Sequence, residues 1–95
     1  MNFKFTDAPE TACFVCNHVF KRDRPILYVT HEKVDGFWSF LCGHDNHYND
    51  EDYKIISLIQ ATQIDNSIND LYEMPLGVGA DRETNTSDWE RFKII

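Results

Sequence analysis

The sequence has no long hydrophobic run and few basic residues. Its start, 1–12, is interrupted by Lys4, Asp7 and Pro9, so we expect no signal peptide, and no later run is long enough for a membrane span. Nine Lys and Arg stand against 16 Asp and Glu, a net charge of −7. This sign repels nucleic-acid phosphates and favours a basic protein surface or a metal cation. We therefore expect a cytoplasmic protein that has a protein partner and binds neither membranes nor nucleic acid.

Glycine, proline and cysteine are also scarce, with four, three and three residues in a chain of 95. No Gly- or Pro-rich linker, internal repeat or low-complexity tract divides the chain, and this length suits one domain rather than two. We expect a single domain over 1–95 with its core at about 11–94. Three cysteines cannot all pair within one chain, so metal binding or burial as thiols are the remaining interpretations.

The first half of the sequence predicts strands. Segments 25–31 and 37–42 are rich in β-branched and aromatic residues, which favour strands. The pair Asp35-Gly36 between them suits the positive φ angles of a hairpin turn, so the two segments are expected to pair antiparallel. Segment 11–15 is a candidate third strand.

The segment after residue 49 has two interpretations. Asn49 can cap a helix over 50–62, in which Ile55, Leu58, Ile59 and Thr62 share one face. Alternatively, 54–58 forms a short strand followed by one or two helical turns, because four apolar residues in five do not define the period. The sequence leaves both open.

A second short helix is expected to start at Asp65 or Ser67 and to stop before Pro75. Its inner side is expected to carry Ile68, Leu71 and Tyr72. Segment 76–80 predicts a turn that enters an edge strand, 81–88 a surface loop and 89–94 a final strand. The predicted fold class is α+β, a small antiparallel sheet with two short helices packed on one side.

The clearest chemical motif combines cysteine and histidine. Cys13-Phe14-Val15-Cys16-Asn17-His18 resembles a zinc-ribbon knuckle, and a third cysteine follows after a hairpin-length gap. Three thiolates and one imidazole form a closed tetrahedral set typical of structural zinc. The motif therefore predicts a structural Zn²⁺ held by Cys13, Cys16, Cys42 and His47, with His44 or His18 as alternatives to His47.

Two other interpretations of the cysteines compete with zinc. Cys42 shares a strand face with Trp38 and Phe40, so it and the other thiols can simply be core residues. A thiol enzyme is disfavoured, because Cys16 and His18 are too close in sequence for the usual nucleophile and base. We expect no catalytic activity.

The order of motifs resembles a group of small bacterial proteins of unknown function, related to the immunity proteins of polymorphic toxin systems. The resemblance runs from about residue 12 to 89 and includes the segments 25–31, 35–43, 64–68, 74–77 and 80–82 and Trp89. Where the usual pattern has Asp-Pro, this chain has Asp65-Asn66. We expect a structural salt bridge at Arg82 and a core contact at Trp89.

The resemblance implies a protein that binds a toxin domain and blocks its active site or substrate path. The net negative charge agrees with a basic target. The alternative is a zinc-ribbon-like structural domain that serves nucleic-acid or translation machinery, which the charge disfavours.

Overall fold

The computed structural model describes residues 3–43 and 52–94. Within them lie six strands and three short helical segments. The strands are β1 Ala12–Cys16, β2 Tyr28–His31, β3 Trp38–Leu41, β4 Tyr53–Ser57, β5 Val78–Asp81 and β6 Glu90–Lys93; the helices are α1 Asn17–Phe20, α2 Leu58–Ile64 and a 3-10 helix Asn66–Leu71.

The strands form one mixed sheet in the order β4-β1-β3-β2-β5-β6. Neighbouring strands run antiparallel except β1 and β3, which are parallel with Phe14 opposite Ser39. The expectation of a purely antiparallel sheet is therefore wrong. The reason is topological: the β2–β3 hairpin returns beside β1 with β3 innermost, so β3 points the same way as β1. The fold is a compact α+β domain in which sheet predominates.

The predicted hairpin is confirmed, with Val29 opposite Phe40. In the connection only Gly36 takes a positive φ, 74°. The Asp35 carboxylate accepts a hydrogen bond from the Phe37 backbone N–H at 3.0 Å. Strand 11–15 and the final strand are also confirmed as β1 and β6.

The segment after residue 52 is a strand followed by a helix, the second of the two interpretations. All five residues of β4 pair with β1. At the junction, Ser57 caps α2: its hydroxyl accepts from the Gln60 N–H, and the Gln60 side chain accepts from the Ser57 N–H. This capping box fixes where the helix begins. A single helix over 50–62 is excluded for its described part, and Ile55, expected on the inner helix face, is 67% exposed.

Three details of the described residues differ from expectation. Tyr72 is exposed rather than inward, because the 3-10 helix ends at Leu71 and the buried position is taken by Met74. Strand β5 is not an edge strand, since it lies between β2 and β6. The two predicted helices are three short helical segments.

One face of the sheet carries the hydrophobic core. Alternate strand residues such as Val15, Val29 and Phe40 are fully buried. They form one cluster with the buried residues of the helices, Leu58, Ala61, Ile68 and Leu71. We call this the covered face. No helix among the described residues has the length and apolar character needed to cross a membrane.

Candidate functional site

Two cysteines and a histidine meet at one edge of the sheet. Because β1 and β3 are parallel neighbours, their carboxyl ends lie side by side. Cys16 is the last residue of β1, Cys42 directly follows β3, and His18 lies in α1 directly after Cys16. The ligand atoms of these three side chains lie within 4.8 Å of one another. We call this group the Cys-His cluster.

The two cysteines of the cluster are shielded from solvent, His18 is partly exposed, and the cluster is rich in polar contacts. Cys16 and Cys42 are 0% and 1% exposed. The Cys42 Sγ atom lies 3.8 Å from His18 Nδ1 and 3.9 Å from the donating Nη1 of Arg24. Burial raises the pKa of the Cys16 thiol, and backbone hydrogen bonds from Val19 and Cys42 act against this rise. Such bonds to a sulfur favour its thiolate form.

Tyr53 lies beside the cluster on β4. Burial is the largest cause of its raised pKa, and Cys16, Asp52 and Cys42 add to the rise because negative charge near the phenol disfavours the phenolate. Tyr53 pairs with Cys16 across the β1–β4 ladder. The tyrosine therefore joins the cluster to the other face of the sheet, described below.

The donor atoms fit a soft or borderline cation. Two sulfurs and one imidazole nitrogen are three of the four ligands of a tetrahedral zinc site. The Arg24 guanidinium and the backbone hydrogen bonds at Cys16 suit the negative charge that metal-bound thiolates carry. The described residues thus provide a place for a metal but not a closed ligand set.

The structure assembles part of the predicted ligand set. It brings Cys16 and Cys42 together with His18, one of the alternative ligands. Cys13 is not a member of the cluster: it pairs with Ile56 and is buried in the core, where burial raises the pKa of its thiol to about 12. His44 and His47 lie outside the described residues.

A second polar centre surrounds Arg82, just after β5. Its guanidinium donates twice to the Ile26 carbonyl, at 3.1 and 2.8 Å, and to the Ser67 hydroxyl at 2.9 Å. It also forms a 2.7 Å ion pair with Asp65, and its charge sits 4.0 Å above the Trp89 ring. The expected salt bridge and core contact are therefore both found. The backbone contact to Ile26 was not predicted, because it joins residues 56 positions apart.

In the part of the chain that the structure describes, the sheet face opposite the core is open. The side chains on this face line a groove of about 730 Å³. Its apolar lining includes Phe14, Tyr28, Phe37, Leu41, Ile55 and Ile94. We call this surface the open groove. Strand alternation was the sequence signal for part of it, since Phe14, Tyr28, Leu41 and Ile55 each adjoin a core residue of the same strand.

Comparison with known proteins gives one family. No curated protein and no solved structure matches the chain. A family model described as the Immunity protein Imm33 domain matches residues 13–93. That span includes the strands of the described sheet except Ala12 at the start of β1, all three cysteines and the Arg82 centre. The resemblance to immunity proteins of polymorphic toxin systems is therefore confirmed, and the chain belongs to the Immunity protein Imm33 domain family.

Proposed function

We propose that this protein is a non-enzymatic immunity protein, which binds a cognate toxin domain in the bacterial cytoplasm and blocks its activity. The observation that carries the proposal is the family match over residues 13–93. A net charge of −7 supports a basic target, because opposite charge speeds encounter. The same charge argues against the alternative of a domain that serves nucleic acid.

The state of the thiols supports a role in binding rather than catalysis. A nucleophilic cysteine needs an accessible sulfur with a lowered pKa. Cys13 and Cys16 are buried, and burial raises the pKa of both thiols. Cys42 is 1% exposed. A substrate would reach none of these sulfurs without a rearrangement of the fold.

Protection of a cell tests the function directly. The toxin domain encoded by the neighbouring gene is produced in a bacterial host with and without this protein, and growth is followed. We expect growth to be restored only when both are present, and the purified pair to bind with micromolar or tighter affinity. Growth arrest despite equal amounts of the protein, with no binding in solution, would contradict the proposal.

We further propose that the Cys-His cluster holds a structural zinc ion. Cys16, His18 and Cys42 would supply three ligands. His47 or His44, a few residues after Cys42 in the sequence, stays the predicted source of the fourth. A metal here would tie the end of β1 to the end of β3 and stabilise the one parallel contact of the sheet.

The ligand set is tested by metal content. Elemental mass spectrometry of the untagged protein is expected to find one zinc per chain. Cys16→Ser and Cys42→Ser should each lose it, whereas Cys13→Ala should retain it, since Cys13 lies outside the cluster. Loss of zinc in the Cys13 variant would restore the ligand set predicted from the sequence. Absence of zinc in the parent protein would refute the site.

A further inference from the structure

The open groove carries exposed apolar side chains. Ile55 is 67% exposed and Phe37 is 37% exposed. The ring of Phe37 packs edge to face against Phe14 with 5.3 Å between centroids. Such rings lose little side-chain entropy on binding, and aromatic residues are enriched where interfaces have their binding energy. This apolar part of the groove therefore suits an apolar projection from a partner.

The charges around the groove have one sign. Its charged lining residues are Glu32 and Asp35, and none of the nine Lys and Arg of the chain is among the residues that line it. Lys54 alternates to the covered side, because it pairs with the core residue Val15. Arg91 reaches the 3-10 helix, where it donates to the Asp70 carbonyl at 3.3 Å. A partner with basic residues around its apolar projection matches this pattern.

A second copy of this chain does not match the acidic, apolar pattern of the open groove. Two copies joined face to face through the groove would bring the carboxylates of Glu32 and Asp35 near those of the other copy, and desolvated like charges oppose association. The β6 edge of the sheet is a poor alternative for binding a strand. The outer strand β6 presents Glu90, Arg91 and Lys93 within four residues, and charges of this density discourage edge pairing.

We propose that the open groove is the surface that binds the toxin domain, through an apolar projection of the toxin flanked by lysine or arginine. The proposal rests on the proposed immunity function and assigns it a site. Ile55, Phe37 and Phe14 would supply the apolar contact. Glu32 and Asp35 would pair with the flanking cations and set the orientation of the complex.

Matched substitutions on the two faces test the site. The probe is the toxin domain encoded by the neighbouring gene, titrated against the full-length protein. Ile55→Arg and Phe37→Arg are expected to weaken binding at least about 30-fold, as for central interface residues. The control is Phe20→Arg, because Phe20 is 42% exposed and does not line the groove. It should change affinity less than about threefold, a change too small for a central contact.

Charge reversal gives an independent reading. Glu32→Lys should slow association about tenfold at low salt, and the loss should shrink as salt is added. Asp70→Lys, in the 3-10 helix, is the charge-matched control and should leave the rate unchanged. Asp35 is left intact in this test, since its carboxylate supports the hairpin connection.

The outcomes separate the site from the function. If the parent protein binds and protects but the groove variants bind as it does, the groove assignment is overturned and the immunity function stands. If the parent neither binds nor protects, both are refuted. If the chain forms a dimer that Ile55→Arg disrupts, the groove is a self-association surface instead. Unchanged thermal midpoints show that each variant is folded; should Ile55→Arg fail this check, Phe37→Arg decides.

Discussion

The two faces of one sheet differ completely in what covers them. On β2 and β3, Val29 and Phe40 are fully buried, while their immediate neighbours Tyr28 and Leu41 line the open groove. A shift of one residue in strand pairing would exchange the two sets. Stability is therefore encoded in one set of alternate strand positions and the proposed binding surface in the other, so mutations one residue apart should have different consequences.

The largest contrast is between Phe40 and Ile55. Phe40→Ala should cost about 3 to 5 kcal/mol of unfolding free energy, because it leaves a cavity on the covered face. Ile55→Ala, on the open face, should cost no more than about 0.5 kcal/mol. Urea denaturation measures both. Similar losses would show that the open face is not a free surface in the folded protein.

The next largest loss of unfolding free energy is expected at the Arg82 centre. Arg82→Met removes the buried partner of Asp65 and its bonds to Ile26, and should cost about 3 kcal/mol. The control is Arg91→Met, since the Arg91 side chain is 44% exposed and lies 4.0 Å from Glu73. Its loss should be within about 0.5 kcal/mol. Equal urea midpoints for the two variants would contradict a stabilising role for the Arg82 centre.

Raising the pH above 9 should lower the free energy of unfolding through the buried thiol of Cys13. Its thiol pKa rises from 9.0 to about 12 on folding, so above pH 9 the unfolded chain loses this proton while the folded chain keeps it. Stability should therefore fall with rising pH between 9 and 12, by up to about 1.4 kcal/mol per unit from this group. The slope of unfolding free energy against pH should be shallower in Cys13→Ala. Parallel slopes would mean that this thiol is not buried as a neutral group.

The smallest expected loss of stability is at the start of α2, which packs on the covered face. Ser57→Ala removes the side-chain cap of α2 and should cost about 1 kcal/mol. Ser39→Ala is the control, because Ser39 lines the open groove and caps no helix; it should stay within about 0.5 kcal/mol. Thermal unfolding of both variants is sufficient to compare them. If Ser57→Ala is as stable as the parent protein, packing rather than capping determines where the helix begins.

Local patterns predicted the parts of the fold that depend on neighbouring residues. The β2–β3 hairpin follows from Asp35-Gly36 between two apolar segments, and β6 from the alternation before Ile94. The start of α2 was not predicted, although Ser57 and Gln60 have the spacing of a capping box. The parallel β1–β3 contact and the inner position of β5 depend on pairings between distant strands, which local periodicity does not encode.

The candidate sites divide in the same way. The motif predicted Cys13, Cys16 and Cys42 together, and the structure brings together Cys16 and Cys42 but not Cys13. Cys13 points into the core, whereas His18 reaches the cluster from α1, which begins directly after β1. The spacing of these residues in the sequence does not determine either placement. The open groove needs the whole sheet to be assembled, so no single motif reports it.

The parallel contact between β1 and β3 also orders the folding of the chain. The β2–β3 hairpin closes across a short connection, and contacts so local form fast. Strand β1 pairs only with β3 and β4, both much later in the sequence. During synthesis on a ribosome, β1 therefore emerges before either of the strands that pair with it has been made. We expect this apolar segment, rather than the hairpin, to be where aggregation competes with folding and where a chaperone would bind.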